Sequence, residues 1–270
     1  MGTNRRMAAM DLGAWVDSHQ AQGLYWFTRG EALKELHTSE AALKQAAARL
    51  IKKRRIARIR NGFYVIVPLE YASRGILPAE WFIDGWMNAA GQPYYVGLQS
   101  AAALHGAAHQ QPMQFQVITS MSQRPVQLPG LTIRFFSKQD VAGTPTIQVK
   151  AQTGYMRVST PEATALDLVH YARSIGGQDR VLTILREMGE SLVPEKLSAI
   201  ALAEPTLIDA RRLGWLLERA GFPAVAEPLA RRVADKRLAP IKLEPALSHQ
   251  GCPLEERWRL WINADVVGDL

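Results

Sequence analysis

The chain has 270 residues, which is enough for two medium-sized domains. Its hydrophobic content of 47% and its seven tryptophans are typical of a folded globular protein and exclude a disordered chain. The single cysteine excludes an intrachain disulfide and a cluster of thiolate metal ligands, and no apolar run reaches the roughly 18 residues of a transmembrane helix. We therefore expect a cytoplasmic protein without a membrane partner.

The net charge of +7 is concentrated at one end of the chain. Residues 1–67 contain 12 basic and 5 acidic residues, whereas residues 68–270 contain 20 of each. No acidic residue interrupts the run of eight basic residues formed by Lys44, Arg49, Lys52, Lys53, Arg54, Arg55, Arg58 and Arg60. This distribution indicates a module that faces a polyanion, followed by a neutral module. Charge alone leaves a merely solvated basic face as the alternative.

Three helices are predicted in the basic module. Residues 11–22 form the first, with apolar side chains on one side. Thr28 and Glu31 have the spacing of a capping box, which begins a second short helix. Ser39 can cap a third, alanine-rich helix that runs to about Lys53.

The third helix is predicted to have one apolar and one basic side. Its buried stripe comprises Leu43, Ala47, Leu50 and Ile51, and its exposed side comprises Ala41, Gln45, Ala48, Arg49 and Lys52. The exposed side suits a DNA groove because its alanines allow close approach. Gln45 can pair with an adenine edge, and Arg49 can pair with guanine or with a phosphate.

A basic hairpin is predicted to follow the helices. Residues 56–67 alternate in polarity around Asn61-Gly62, which is typical of a type I′ turn. Arg58 and Arg60 lie on one face of the first strand, where they can hold the DNA backbone. Three helices and a basic hairpin are the element order of a winged helix-turn-helix. A small helical domain with an unrelated hairpin is the alternative.

We predict an α+β protein with three regions. Residues 1–68 form the winged helix-turn-helix, residues 69–78 form a linker with Pro and Gly, and residues 79–270 form a larger mixed α/β domain. Five short strands between residues 94 and 160 predict a mostly antiparallel sheet. Helices are predicted over 161–173, 179–189, 195–203, 206–220 and 224–237, before strand-like segments at 241–245 and 257–263.

The second region has few candidates for catalysis. His105 and His109 have helical spacing, but no carboxylate on the same turn completes a metal site, and structural histidines are the favoured interpretation. Asp140 and Lys150 resemble part of a metal-dependent nuclease motif, yet Gln148 stands where that motif needs a carboxylate. We therefore expect no enzyme activity, no cofactor and no bound metal.

The sequence resembles the AbiEi family of antitoxins from type IV toxin-antitoxin systems. The likeness lies in RRIARIRNGFYVIV, in YYVGLQSAAALHGAAHQQP with the following QVITS, and in STPEATALDLVHYARSIGG leading into DARRLGWLLERAG. These segments lie within residues 25–221. The resemblance implies an antitoxin, linked to phage defence, that represses its own operon by binding inverted repeats in double-stranded DNA. It also implies that the C-terminal domain counteracts a nucleotidyltransferase toxin.

The resemblance and the local pattern place the DNA-binding site in the first module. The expected DNA-binding residues are Ser39, Lys44, Gln45, Arg49, Lys52, Lys53, Arg54, Arg55, Arg58, Arg60 and Asn61. Two other functions remain open at this point. One is a DNA-targeted, metal-dependent nuclease with a winged-helix reader, and the other is a ligand-sensing transcriptional regulator without a toxin partner.

Overall fold

A computed structural model describes residues 11–60, 62–107 and 112–268, and these residues form an α+β fold. They divide into two compact units. Unit 1 comprises the chain up to Tyr94, with residues 119–137 and 148–156. Unit 2 comprises residues 95–118, 138–147 and 157–270. The boundaries at residues 68 and 78 that the sequence favours remain a prediction.

The first elements of unit 1 are three helices and a three-stranded sheet. The helices are α1 (Leu12–Ala21), α2 (Arg29–Leu36) and α3 (Glu40–Lys52), and the strands are β1 (Trp26–Thr28), β2 (Ile56–Arg58) and β3 (Phe63–Ile66). The sheet has the order β1-β3-β2, and both pairings are antiparallel. The three predicted helices and the hairpin strands are confirmed, whereas β1 was not predicted.

Side chains that cap the helices explain where α2 and α3 begin. The Thr28 hydroxyl accepts a hydrogen bond from the Glu31 backbone N–H, and the Glu31 carboxylate accepts one from the Thr28 N–H at 2.6 Å. The Ser39 hydroxyl accepts from the Ala42 N–H at 3.2 Å. These bonds satisfy backbone donors that have no partner within the helix.

The helices and the sheet enclose one apolar core, in which Trp15 meets Phe27 edge to face and Phe27 stacks on Tyr64. From α3 this core receives Leu43 and Ala47, with Ala46 and Leu50 partly buried against it. The prediction that Ile51 joins the buried stripe is wrong, because 39% of this residue is exposed. Ala46 widens the stripe on its other side, and Ile51 falls at the stripe's edge.

Aromatic packing continues beyond the hairpin within unit 1. Trp26 stacks on Phe63 and lies against Gly85 of helix α4 (Ile83–Ala89), where an added Cβ would come within 2.3 Å of the indole. Ile76 and Leu77 are 2% and 1% exposed. The segment after the hairpin therefore contributes side chains to the interior of unit 1.

A six-stranded sheet follows. Its strands are β4 (Tyr94–Val96), β5 (Phe115–Thr119), β6 (Val126–Leu128), β7 (Leu131–Ser137), β8 (Thr146–Ala151) and β9 (Gly154–Ser159), in the order β6-β7-β5-β4-β9-β8. β6 and β7 form an antiparallel hairpin, whereas β4 and β9 are parallel. Five of these strands were predicted. Strand β6 and helix α5 (Leu98–Leu104) were not.

The last part of unit 2 is mainly helical, as predicted. It contains α6 (Pro161–His170), α7 (Ala172–Ile175), α8 (Gly177–Met188), α9 (Pro194–Ala203), α10 (Ile208–Ala220) and α11 (Pro223–Ala234), and a small sheet of β10 (Ile241–Lys242), β11 (Leu254–Glu255) and β12 (Leu260–Trp261). Gly214 in α10 leaves room for the fully buried Trp258. Within the described parts of the chain, no helix is long and apolar enough to cross a membrane.

Candidate nucleic-acid interface

Helix α3 turns opposite sides to the core and to solvent. Leu43 and Ala47 are 3% and 2% exposed, and they fix the buried side. Lys52 follows Leu43 by nine residues, which places it on the opposite side of the helix at 100° per residue. Gln45, Ala48, Arg49 and Lys52 are all exposed, as predicted. The helix therefore presents a basic surface interrupted by a small side chain.

Five basic side chains of α3, its C-terminal end and the hairpin have no partner among the residues that the structure describes. Lys44, Arg49, Lys52, Lys53 and Arg58 are exposed, and none of them makes a hydrogen bond or an ion pair with another described residue. An exposed cation without a partner remains free to neutralise an external anion. We call these five residues the free cations.

The other three basic residues of the run are held by the protein itself. Arg55 forms an ion pair with Asp17 of α1. Arg54 donates to the carbonyl of Ser73 at 3.4 Å. Arg60 donates to the carbonyls of Arg124 and Pro125. Sequence spacing did not separate these three from the free cations, because their partners lie elsewhere in unit 1.

The remaining expected site residues have different surroundings. Ser39 is exposed, and its hydroxyl is engaged in capping α3. Gln45 is exposed on the basic side. Asn61 lies outside the described residues, so its role and the type I′ turn remain predictions. The turn itself closes with a hydrogen bond from the Phe63 N–H to the Arg60 carbonyl at 2.9 Å, and Gly62 has a φ of +78° that favours glycine.

The turn of the hairpin is fixed beside the start of α2. The Arg29 N–H donates to the carbonyl of Gly62 at 2.6 Å, and a Cβ on Gly62 would meet the Arg29 Cβ at 2.9 Å. Arg29 also lies 3.8 Å from the Glu40 carboxylate at the start of α3. The hairpin, α2 and α3 are therefore joined at one end by direct contacts.

Unit 2 contains a buried charged cluster that the sequence did not reveal. The Asp167 side chain is 2% exposed and accepts hydrogen bonds from the Tyr95 hydroxyl at 2.7 Å and from Lys138 Nζ at 3.0 Å. Lys138 also lies 3.3 Å from Glu204. Burial raises the pKa of Asp167, and the Lys138 charge opposes that rise.

This cluster supplies hydrogen-bond donors to the buried carboxylate of Asp167 on α6. Burial also raises the pKa of Tyr95, as does the neighbouring Asp167 carboxylate, so the phenol stays a hydrogen-bond donor. The only sequence signal was a lone charge within the apolar stretch of α6, ALDLV. Its partners come from distant segments and could not be found from spacing.

Two of the residues considered for metal chemistry make other contacts. Asp140 accepts a hydrogen bond from the Gly143 N–H at 2.7 Å and so closes its own loop. His105 Nε2 lies 2.7 Å from the Ser159 carbonyl, and His109 lies outside the described residues. Over residues 11–60, 62–107 and 112–268, no three His, Cys, Asp or Glu residues are grouped to hold a metal ion.

Comparison with known structures supports the fold. The crystal structure of the RV2827C protein from Mycobacterium tuberculosis aligns with a TM-score of 0.63 and 16% identity, over 91% of this chain and 89% of that one. An antigenic nucleotidyltransferase-like protein from Paracoccidioides brasiliensis aligns with a TM-score of 0.36 and 12% identity, over 56% of this chain and 90% of that one. The second likeness is too weak to support an argument.

Comparison at the sequence level finds a family match over residues 95–219, which include most of unit 2 and the two later segments of unit 1. No curated protein matches the chain. A family model, described as the AbiEi antitoxin C-terminal domain, matches residues 95–219. This segment begins at Tyr95 and includes Lys138, Asp167 and Glu204, so it contains the whole buried cluster. Residues 95–219 are therefore similar to the AbiEi antitoxin C-terminal domain.

Proposed function

We propose that this chain is an antitoxin that also represses its own operon by binding double-stranded DNA. The observation that carries the DNA-binding half is the set of five free cations on α3, its C-terminal end and the hairpin. We assign DNA binding to residues 1–68 as a winged helix-turn-helix, with residues 69–78 as a linker to the antitoxin domain.

The arrangement of α2, α3 and the hairpin supports this assignment. In a winged helix-turn-helix the recognition helix enters the major groove, and its N-terminal residues reach base edges. The exposed side of α3 carries Ala41 and Ala48, which allow close approach, and Gln45 near the N-terminus, which can read adenine. Lys52 and Arg58 are then placed to contact phosphates on either side of the groove.

The charges of the two units also support this assignment. Unit 1 contains 16 basic and 8 acidic residues, for a net charge of +8, whereas unit 2 contains 16 basic and 17 acidic residues, for a net charge of −1. Non-specific attraction to nucleic acid therefore acts on unit 1. Operator DNA with inverted repeats is the ligand that we assign to it.

The antitoxin half rests on the AbiEi domain over residues 95–219. We propose that this domain counteracts a nucleotidyltransferase toxin and that it does so without an enzymatic activity or a cofactor of its own. Co-expression tests this role: a nucleotidyltransferase encoded beside the chain's own gene should arrest growth alone and should not do so with the full chain. Growth arrest that persists in the presence of soluble full chain would contradict it.

Fluorescence anisotropy tests the DNA-binding role. The probes are a duplex from upstream of the chain's own gene and a scrambled duplex, each titrated at several salt concentrations. If the five free cations contact phosphates, the log-log slope of affinity against salt should be about −4.5, at about −0.9 per phosphate. A triple change, Arg49→Ala, Lys52→Ala and Arg58→Ala, should flatten the slope to about −2.

Circular dichroism of the triple variant should match that of the parent chain, because all three side chains are exposed and make no hydrogen bond or ion pair with another described residue. A wild-type slope near zero, or full operator affinity in the folded triple variant, would reject DNA binding by this surface. Cleavage of plasmid DNA with Mg²⁺ or Mn²⁺, abolished by Lys150→Ala, would instead establish the nuclease alternative.

A further inference from the structure

The hairpin contacts a loop that lies far from it in the sequence. Arg60 Nη2 donates to the carbonyl oxygens of Arg124, at 2.8 Å, and Pro125, at 3.2 Å. These carbonyls belong to residues 120–125, which connect β5 to β6 and which we call the 120s loop. The loop belongs to the same unit as the hairpin. The Arg60 side chain of the hairpin thus binds the backbone of the loop directly.

The 120s loop has the composition of a phosphate-binding segment. Its exposed residues are Ser120, Met121, Ser122, Arg124 and Pro125. Hydroxyl and guanidinium groups are common donors to phosphate oxygens. The Arg124 side chain makes no hydrogen bond or ion pair with any residue that the structure describes, so its charge is available.

No acidic residue of the surrounding sequence offsets Arg124. Between Asp84 and Asp140 the chain contains no Asp or Glu at all. The balance of 20 basic and 20 acidic residues over 68–270 conceals this stretch, because its acidic residues lie in other segments. The part of the stretch that belongs to unit 1, residues 119–137, contributes two arginines and no carboxylate.

The loop adds charge where the hairpin is already basic. Arg58 is exposed, Arg60 is bound to the loop, and Arg124 extends from the loop itself. A polyanion that runs past the hairpin can contact cations of both segments, and duplex DNA carries phosphates at a regular spacing that can do so.

We propose that the 120s loop is a third DNA-contacting element, beside α3 and the hairpin, and that Arg124 contacts a backbone phosphate. In this arrangement Arg60 is a positioning residue, because its guanidinium holds the loop backbone at the hairpin. The inference rests on the proposed DNA-binding function and extends it to a segment within the larger region of the chain. It assigns Arg124 to the phosphates rather than to base edges.

Salt titrations of Arg124→Ala test this contact. With Arg124 as a sixth contact the wild-type slope should be about −5.4, and Arg124→Ala should flatten it to about −4.5. Affinity at 0.15 M salt should fall about fivefold for operator and scrambled duplexes alike. Arg124→Lys should restore most of the slope, since it keeps the charge. The matched control is Arg232→Ala, which removes an exposed cation from α11 in the other unit and should leave the slope unchanged.

A double-mutant cycle with Arg60 tests how the loop is positioned. If Arg60 acts through Arg124, then Arg60→Ala should flatten the slope about as much as Arg124→Ala does, and the double variant should go no further. Two independent effects that add in the double variant would overturn the positioning role of Arg60. Circular dichroism and urea unfolding establish that each variant is folded.

The outcomes separate this inference from the function on which it depends. A wild-type slope near zero rejects the proposed DNA binding altogether. A steep wild-type slope that stays the same in Arg124→Ala rejects only the role of the 120s loop. A loss of slope in Arg124→Ala, restored by Arg124→Lys and absent in Arg232→Ala, supports it.

Discussion

Basic residues are used in two different ways in the two units. On α3, its C-terminal end and the hairpin of unit 1, five exposed cations have no partner within the described part of the chain. In unit 2, Arg211 is 3% exposed and donates to the carbonyls of Trp258, Ala239 and Arg259. Arg212 is similarly bound, to Asp209 and to the carbonyl of Lys242.

The difference shows why a count of charges is a poor guide to function. Both units contain 16 basic residues. A guanidinium that is surrounded by carbonyls contributes to folding, because it satisfies acceptors that would otherwise be buried without a donor. A cation without a partner contributes little to stability and remains available to a ligand. Changes to the bound arginines of unit 2 should therefore reduce stability more than DNA affinity, and changes to the free cations of unit 1 should reduce DNA affinity more than stability.

The largest expected loss of stability follows removal of the buried carboxylate of unit 2. Asp167→Asn leaves Lys138 without its closest anion and weakens the bond from the Tyr95 hydroxyl. Breaking a buried ion pair from one side costs about 3–5 kcal/mol, and the remaining contact of Lys138 with Glu204 places this case near the lower value. Urea unfolding measures the free energy. A loss below about 1 kcal/mol would show that the cluster is not a structural element.

A smaller loss is expected when one buried guanidinium is removed. Arg211→Met keeps the apolar stem but leaves carbonyls without a donor, which should cost about 2–3 kcal/mol. The matched change in unit 1, Arg49→Met, should shift the free energy of unfolding by about 0.5 kcal/mol or less. In DNA titrations the order should reverse, with Arg49→Met weakening binding and folded Arg211→Met leaving it unchanged. If Arg211→Met and Arg49→Met had equal effects in both assays, the two units would not differ in how they use basic residues.

Two glycines extend the comparison to packing. An added Cβ on Gly214 of α10 would lie 2.1 Å from the fully buried Trp258 ring, so Gly214→Ala should cost about 1–3 kcal/mol. An added Cβ on Gly30 of α2 would lie 3.9 Å from the Thr28 hydroxyl oxygen, an ordinary contact, and helical backbone there suits alanine. Gly30→Ala should leave stability unchanged or raise it by up to about 1 kcal/mol. Thermal unfolding of the two variants, compared with the parent chain, measures both.

The N-terminal elements could be predicted because their signals are local. Caps at Thr28 and Ser39 and the apolar stripe of α3 lie within a few residues of what they determine. Strand β1 was missed because its three residues form a strand only by pairing with β3, which lies more than 30 residues away. The prediction that Ile51 is buried was wrong for a related reason. Packing of Ala46 and Leu50 against the core determines how the helix is rotated.

The site could be predicted in composition but not in detail. Sequence spacing identified the basic run from Lys44 to Arg60, yet it treated all eight cations alike. The partners that distinguish Arg55 and Arg60, namely Asp17 and the 120s loop, come from segments that only the fold brings near. The same limit applies to Asp167, whose partners Tyr95 and Lys138 lie on other elements of unit 2.

The smallest expected effect concerns an exposed pair in unit 2. His170 Nδ1 lies 2.7 Å from the Asp209 carboxylate, and this hydrogen bond raises the pKa of His170 above 6.5. Because the folded-state pKa is the higher one, the stabilisation is fully present below pH 6.5 and is lost as the pH rises through the folded value. The His170 side chain is 57% exposed, so the pair should contribute about 0.5 kcal/mol or less. His170→Gln should therefore lower the unfolding free energy at pH 5.5 and leave it unchanged at pH 8.5, and NMR titration should give a lower His170 pKa in Asp209→Asn. A His170 pKa that does not respond to Asp209→Asn would contradict this pairing.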